Sequence, residues 1–333
     1  MRILVIMPTG HIRDTFIPPD VAAKIECLGT VEWNTTPEQF SPEVLKEKLR
    51  YADICIAGWD CPRFDEDIVS SAVNLKLLVY TGGSVADFVS DSLYKKNIKI
   101  LSGNQVMAES VAEGTMAYIL NSLRDIPYWA NEMQAGRWKT RTLYIEGLLD
   151  RSVGLVGFGA VARYLVKFLE PFRAKIRVYD PYITGNMCRE YGVERCSLED
   201  VISKSKIISL HAPNIPETHH MINRTILELI PDGAIFINTA RGGIVDEEAL
   251  AEELAKKRFK AVLDVYEIEP LPENSRLRGL ENVILMPHLA GLTSDRRKVV
   301  TLELLEEIKR FLDGRELKHE INKEYAMRMT RDD

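Results

Sequence analysis

The feature that most restricts the fold of this chain is a rhythm. Short apolar runs, most of them continuous, alternate with helix-period segments along almost its whole length. In the first hundred residues the runs are Ile3–Met7, Ile54–Ala57, Leu77–Tyr80 and Ile98–Leu101, with amphipathic stretches such as Pro42–Arg50 and Asp65–Ala72 between them. A second series holds Val153–Val156, Ile176–Tyr179, Ile207–Leu210, Ala234–Ile237, Ala261–Leu263 and Val283–Met286. A run that is apolar at every position reads as a strand covered on both faces. Strands separated by helices pair in parallel. The fold class is therefore α/β, with two doubly wound parallel sheets. Between the two series one helical pattern runs from Val106 to Leu123 and continues into Asp125–Trp138; it would join two domains or lie as an arm over a partner subunit. A last helix is expected over Ser294–Leu312, followed by a polar tail. No strand follows that helix, so it must return to pack on something earlier. The second domain is accordingly read as inserted into the first, with residues 1–104 and 292–333 forming one and 105–291 the other.

Composition narrows the class further. With 333 residues, two domains have ample core and need no disulfide staples. A net charge of −6 argues against a nucleic acid or an anionic membrane as partner. The five cysteines, Cys27, Cys55, Cys61, Cys188 and Cys196, are odd in number and form no C-x-x-C, which reads as reduced thiols. His and Cys lack metal-ligand spacing, so no metal is expected. The apolar run at Met1–Met7 is too short for a signal peptide. Nothing approaches the roughly 18 apolar residues of a membrane span. The expectation is a soluble, cytoplasmic protein. The chain ends soon after its last helix, at Thr330-Arg331-Asp332-Asp333, which leaves little room for a regulatory or partner-binding appendage.

The strand reading at 153–156 runs straight into Gly157-Phe158-Gly159-Ala160-Val161-Ala162, a G-x-G-x-x-A, and a helix pattern follows at Val161, Leu165, Phe168 and Leu169. Gly157 allows the tight turn, Gly159 lets backbone approach a pyrophosphate, and Ala162 lets helix and strand come close. The free N–H groups of the helix then face the phosphates. The next strand ends at Asp180, 21 residues after Gly159, where an acid accepts hydrogen bonds from adenosine ribose hydroxyls. That carboxylate would repel a 2′-phosphate and no Arg directly follows it, so NAD is favoured over NADP. A flavin or another adenosine cofactor would use the same half-site.

Three more segments follow predicted strand ends, where open α/β sheets hold ligands. They are Asn238-Thr239-Ala240-Arg241-Gly242-Gly243, Asp264-Val265-Tyr266-Glu267-Ile268-Glu269-Pro270, and Pro287-His288-Leu289-Ala290-Gly291. Taken singly, Arg241 is an ordinary salt-bridged side chain, His288 a satisfied histidine and Glu269 a surface acid. Taken together, in this order behind a dinucleotide turn, they make a redox site. A 2-keto acid needs a cation for its carboxylate and a proton donor beside its carbonyl, and Arg241 and His288 supply these.

At this point the chain resembles the D-isomer-specific 2-hydroxyacid dehydrogenases. The matching stretches are Val111-Ala112-Glu113, the G-x-G turn with Asp180, His211-Ala212-Pro213 with Thr218, Asn238–Asp246, Asp264–Pro270 and Pro287–Gly291. The resemblance implies a Rossmann NAD-binding domain inserted into a split, flavodoxin-like substrate domain, and a homodimer formed through the NAD-binding domains. It implies that Arg241 holds the substrate carboxylate, that His288 is the acid/base and that Glu269 bonds its other ring nitrogen. Cofactor contacts are carried over to Gly157, Phe158, Gly159, Ala160, Val161, Asp180, His211, Ala212, Pro213, Thr218, Thr239, Ala240, Arg241, Asp264, His288 and Gly291, with Asp264 near the nicotinamide carboxamide. A formate dehydrogenase of this family would carry a Gln–His pair, so Glu269 speaks for 2-hydroxyacid chemistry. A co-repressor or scaffold of the same fold that senses NAD(H) is the other reading.

On the substrate side, the family's loop after the fourth strand corresponds to Tyr80–Val85, with Gly82-Gly83-Ser84-Val85-Ala86-Asp87 in place of the usual Gly-x-Gly-x-Asp. Two adjacent glycines suit an anion-binding nest, with the amides of Gly83, Ser84 and Val85 as the substrate contacts. An ordinary turn competes with that reading. The first loop, with His11 and Arg13, and Trp59 after another strand are candidates for the substrate's distal group, while His219 and His220 are read as solvated surface residues.

Overall fold

The computed structural model describes residues 1–139 and 145–331; the terminal Asp332 and Asp333 lie outside them. The chain divides into two compact units, Met1–Met107 with Leu292–Asp333, and Ala108–Gly291.

Unit 1 opens with β1 (Arg2–Val5), α1 (His11–Phe16), α2 (Pro19–Glu26), β2 (Thr30–Trp33), α3 (Pro42–Leu49), β3 (Ile54–Ala57), α4 (Glu66–Ser71), β4 (Leu77–Tyr80), α5 (Asp91–Lys95) and β5 (Lys99–Ser102). The strands pair in parallel in the order β2-β1-β3-β4-β5. Burial explains which were legible in the sequence. β3 is buried at all four positions, whereas β2 is an edge strand whose Thr-Val-Glu-Trp is half exposed and shows no continuous apolar run.

Helix α6 (Asn104–Arg124) carries the chain into unit 2. It was expected to continue to Trp138, but it stops at Arg124. Asp125 turns left-handed (φ 50°) and a separate α7 (Ile126–Gln134) starts with Pro127 in its first turn. Proline has no N–H for the preceding turn and clashes with the carbonyl four residues back, so the ladder breaks there.

Unit 2 continues with β6 (Ser152–Val156), α8 (Ala160–Leu169), β7 (Lys175–Tyr179), α9 (Gly185–Tyr191), β8 (Glu194–Arg195), α10 (Leu198–Ser203), β9 (Ile207–Leu210), α11 (Arg224–Glu228), β10 (Ile235–Asn238), α12 (Glu247–Ala255), β11 (Lys260–Leu263) and β12 (Val283–Leu285). Its seven strands are all parallel in the order β12-β11-β10-β9-β6-β7-β8. The two-residue β8 is fully exposed, which is why no apolar run announced it. Strand order reverses between β6 and β9, so the loops after those strands and after β10 and β11 gather at one edge.

After β12 the chain re-enters unit 1 as α13 (Ser294–Leu312). Its Val300, Leu304, Leu305 and Ile308 pack on Ile3, Val5, Ile54, Ile56, Leu77 and Val79 of the sheet. The alternate residues Leu4, Cys55, Leu78 and Ile100 face the other way, into Leu45, Leu49, Ile68 and Leu93. The tail, expected to be polar, is a docked segment. Ile321 N–H donates to Ile100 O at 2.8 Å, and Ile321, Ala326 in α14 (Lys323–Ala326) and Met329 are buried in that second core. Three apolar residues spaced among charges carry no helix or strand period, so only packing reveals them. Among the described residues no helix is long and apolar enough to cross a membrane.

Candidate active site

The turn after β6 is held from both sides. Gly157 sits at φ 96° and its N–H donates to Tyr179 O at 2.7 Å. A Cβ there would lie 2.6 Å from Ala212 N and from the His211 carbonyl carbon, so no side chain fits. Gly159 is the reverse case. It precedes α8 with no side-chain cap, and a Cβ on it would meet nothing within 4 Å. That open space beside the unclaimed first N–H groups of an uncapped ten-residue helix is the cradle a pyrophosphate requires. Ala162 is fully buried against the core, as the close helix–strand approach demands. Phe158 is also core: it is 2% exposed and edge-on to Tyr191 at 5.4 Å. It offers its backbone, and its N–H donates to Asp180 Oδ2 at 2.7 Å. Asp180 Oδ1 accepts from Tyr182 N at 2.7 Å. A carboxylate has about four acceptor positions, so two remain for ribose hydroxyls. These residues fit a bound dinucleotide.

Opposite this turn, His211 N–H donates to Val156 O at 2.7 Å, and its Nε2 is sealed from solvent with no partner among the described residues. Burial pushes its pKa down to about 3, so the ring is neutral. Thr218 braces the same loop: its hydroxyl donates to Pro213 O at 2.6 Å and accepts from Ile215 N at 3.1 Å. Thr239 is buried and shares a 2.9 Å hydroxyl contact with Thr115 of α6.

The catalytic candidates stand on three successive strand ends. Arg241 follows β10, and its turn is tied by a residue that was not singled out in the sequence. Asn238 donates from Nδ2 to Arg241 O (2.8 Å) and accepts Ala240 N–H at Oδ1 (3.0 Å). Gly242 lies directly against the main chain of Tyr266 and Glu267; a Cβ there would be 1.9 Å from Tyr266 C. Contact between the turn carrying Arg241 and the turn carrying Glu269 thus depends on that missing side chain. Glu269 accepts Tyr266 N–H at Oε1 (3.1 Å), and its Oε2 faces His288 Nδ1 at 2.8 Å. An ionised carboxylate can only accept, so the proton lies on Nδ1 and Nε2 is the ring's working nitrogen. Both side chains are partly open to solvent. They form part of the wall of a cavity of about 500 Å³ that Tyr266, Leu271, Arg278 and Met286 help to line.

His288 adopts φ 54°, the left-handed region. Asp264, 1% exposed, holds it there. Its backbone O accepts His288 N–H at 3.0 Å; its carboxylate accepts Leu289 N–H (2.8 Å), Ala290 N–H (2.9 Å) and the Tyr118 hydroxyl (2.8 Å). The described contacts of Asp264 are those of a support for the histidine loop. Burial first, then the Asp264 carboxylate, push the Tyr118 hydroxyl well above the ordinary phenol range. Tyr266, whose hydroxyl donates to Leu263 O and Met286 O at 2.9 Å, is pushed up to about 12, chiefly by burial. Tyr118 carried no local signal, because its partner lies 146 positions away. His219 and His220 lie at the surface as expected; there His220 Nε2 sits 2.7 Å from Glu267 Oε1 and its ring stacks on His219 at 4.0 Å.

In unit 1, Tyr80 stacks on Phe88 (4.5 Å, 21°) and fills the space a Gly82 side chain would need. Val85 is buried, and Ser84 Oγ donates to Thr330 O at 2.5 Å. The amides of Gly83, Ser84 and Val85 donate to no acceptor among the described residues. Arg13 donates to Asn34 O at 2.7 Å above the Trp33 ring. No His, Cys, Asp and Glu cluster among the described residues suits a metal.

A dinucleotide cradle and a carboxylate-braced histidine, both at the carboxyl ends of strands of one parallel sheet, define a nicotinamide-dependent oxidoreductase. Comparison with known proteins gives the family. Residues 116–290 match the model of the D-isomer specific 2-hydroxyacid dehydrogenase NAD-binding domain. The chain is 32% identical to a hydroxypyruvate reductase of Thermotoga maritima, over 90% of this chain and 96% of that one. It is 31% identical to a D-3-phosphoglycerate dehydrogenase of Methanocaldococcus jannaschii, over 91% of this chain but only 57% of that one. A solved Thermus thermophilus protein superposes with a TM-score of 0.76 at 27% identity, covering 97% of this chain and all of that one. The chain belongs to the D-isomer specific 2-hydroxyacid dehydrogenase family, and its unit 2 is an NAD-binding domain.

Proposed function

We propose that the protein is a D-specific dehydrogenase that interconverts a small 2-keto acid and the corresponding 2-hydroxy acid in the cytoplasm. The observation that carries this reading is the 2.8 Å pair between His288 Nδ1 and Glu269, on the turn against which the Arg241 turn is packed. Bound NADH supplies the hydride to C2. Arg241 binds the substrate carboxylate; its planar fork suits two carboxylate oxygens. His288 gives its Nε2 proton to the carbonyl oxygen on reduction and takes it back on oxidation, while Glu269 holds the ring's orientation through Nδ1 and stabilises the protonated ring. Asp180 takes the adenosine ribose, and the α8 amides take the pyrophosphate. His211, Ala212, Pro213, Thr218, Thr239, Ala240 and Gly291 line the cofactor. Asp264 positions the His288 loop and, at the foot of that loop, borders the carboxamide. In unit 1 the unclaimed amides of Gly83, Ser84 and Val85 offer an anion nest.

A second copy of the chain is the proposed partner. Ile126 and Met133, seven positions apart on one side of α7, are each half or more exposed, and a homodimer would cover them.

The test is an NADH-oxidation screen over 2-keto acids, including glyoxylate, hydroxypyruvate, pyruvate and a branched acid, with His288→Ala and Glu269→Gln beside the native protein. Turnover that falls by about 10²–10⁴ in His288→Ala, with NADH still bound, is the expected result. Binding of NADH with no turnover on any acid would instead make the protein a sensor of NAD(H).

A further inference from the structure

From Ala108 onward α6 belongs to unit 2, and one side of it meets all three strand ends that carry Arg241, Glu269 and His288. Tyr118 follows Gly114 by four residues and Thr115 by three, the spacing of a single helix face. Each of the three has a different partner. Gly114 lies against the loop after β12: a Cβ on it would be 2.7 Å from Ala290 O and 2.9 Å from Ala290 Cα. Thr115 meets the hydroxyl of Thr239, the first residue after β10 and two before Arg241, at 2.9 Å. Tyr118 donates to Oδ1 of Asp264, the first residue after β11, at 2.8 Å.

The proton in each contact has one place to go. Thr115 gives its only hydroxyl proton to Val111 O at 2.8 Å, so Thr239 donates and Thr115 accepts. The Tyr118 proton bears on the same Asp264 oxygen that holds Leu289 N–H, while Oδ2 holds Ala290 N–H. Those two amides directly follow His288, whose backbone is left-handed at φ 54°. A non-glycine residue keeps that conformation only where its surroundings impose it. Gly114 and Tyr118 thus grip the His288 loop from the helix side, and Thr115 grips the base of the Arg241 turn. Four residues of helix span about 6 Å, and over so short a rod the spacing of the contacts is fixed.

We propose that this face of α6 is the brace of the active site, with Tyr118 a positioning residue for the His288 loop and Thr115 one for the Arg241 turn. Gly114 seats the helix by its close approach. The kinetic roles rest on the dehydrogenase reading above: a displaced His288 slows proton transfer, and a displaced Arg241 weakens carboxylate binding.

The experiment measures reduction of the keto acid that turns over fastest in the screen above, at saturating NADH. The native protein is compared with Tyr118→Phe, Thr115→Val and Thr115→Ser, and thermal unfolding checks that each is folded. Phenylalanine and valine each remove one hydroxyl and nearly keep the shape. Tyr118→Phe lowers kcat by roughly 10- to 100-fold, as displacing a reacting group by up to about 1 Å does, and leaves KM for the keto acid nearly unchanged. Thr115→Val does the reverse, raising that KM by roughly 10-fold, the size of one weakened charged hydrogen bond, with a smaller loss of kcat. Thr115→Ser keeps the hydroxyl and stays near the native values; should Tyr118→Phe not fold, the valine–serine contrast decides. A merely structural role would move kcat and KM together in both variants and leave serine as impaired as valine. That result, or native kinetics in either Tyr118→Phe or Thr115→Val, overturns the proposal. If the native protein reduces no keto acid, the dehydrogenase reading fails and the brace is tested on the His288 ring itself. NMR of isotope-labelled ring nitrogens, at a pH where the ring is neutral, reads the tautomer. The native ring carries its proton on Nδ1, facing Glu269, and Tyr118→Phe mixes the two tautomers; a Tyr118→Phe ring that keeps the proton wholly on Nδ1 refutes the brace.

Discussion

Replacing Gly242 by alanine tests whether two turns of the site are built as one piece. The added Cβ would lie 1.9 Å from Tyr266 C, 2.0 Å from its O and 2.3 Å from Glu267 N. Ordinary carbon contacts fall at about 3.5–4.0 Å, so one turn must retreat by roughly 1.5–2 Å. Every atom in the way is backbone, and no rotamer can relieve the clash. Overpacking of this kind costs about 1–3 kcal/mol, and a backbone clash on both sides belongs at the upper end. For a unit of this size that lowers the unfolding midpoint by roughly 6–12 °C. The retreat also separates Arg241 from the turn that holds Glu269. A 1 Å misplacement of reacting groups is worth about 10²-fold in rate, so kcat/KM should fall at least that far. Thermal unfolding and initial rates of NADH oxidation measure both effects. Gly243→Ala is the control, since the nearest atoms to its Cβ belong to the Asn214 side chain, at 3.0 Å and beyond, and not to backbone. A Gly242→Ala protein that melts within 2 °C of the native one (under 1 kcal/mol by the same conversion) and keeps its kcat/KM would refute the reasoning.

Gly159→Ala has the opposite expectation. Its methyl enters open space, so stability moves by no more than about 0.5 kcal/mol while NADH affinity drops in a fluorescence titration; unchanged affinity would remove Gly159 from the phosphate cradle. His211 makes apo-protein stability depend on pH. The unfolded imidazole takes a proton near pH 6.5 and the folded one only near 3. Between those values the unfolded state holds more protons, so stability rises with pH and is lost as pH falls, by up to about 1.4 kcal/mol per unit. Urea unfolding at pH 7 and pH 5 should show the native protein losing roughly 2 kcal/mol more than His211→Gln; equal losses would mean the ring is not buried neutral. Asp264→Asn puts a donor where two backbone N–H groups and a tyrosine hydroxyl now donate to a carboxylate. It should destabilise by about 2–4 kcal/mol and lower kcat by more than it weakens NADH binding; unchanged stability and kcat would refute its support of the His288 loop.

Much of this protein was legible along the chain, for a definite reason. Strands covered on both faces are apolar at nearly every position, so β3 and β4 stand out residue for residue. The dinucleotide turn is equally local: Gly157, Gly159 and Asp180 belong to one strand–helix–strand unit, and the backbone conformation and acid it needs are written within 25 positions. What the sequence alone left open involves partners far apart in the chain. Tyr118 reaches Asp264 across 146 positions, and the buried tail reaches β5 across more than 200. Edge strands such as β2 and β8 escaped notice because solvent on one side removes the apolar run. The role of Gly242 was invisible because its reason is the main chain of another turn. Residue type and spacing thus determined the class of chemistry, since the turn and the acid/base residues each follow a strand end. Only the tertiary structure decided which groups hold the reacting ones in place, because those contacts depend on how strands are ordered in the sheet, and no local period in the sequence encodes that order.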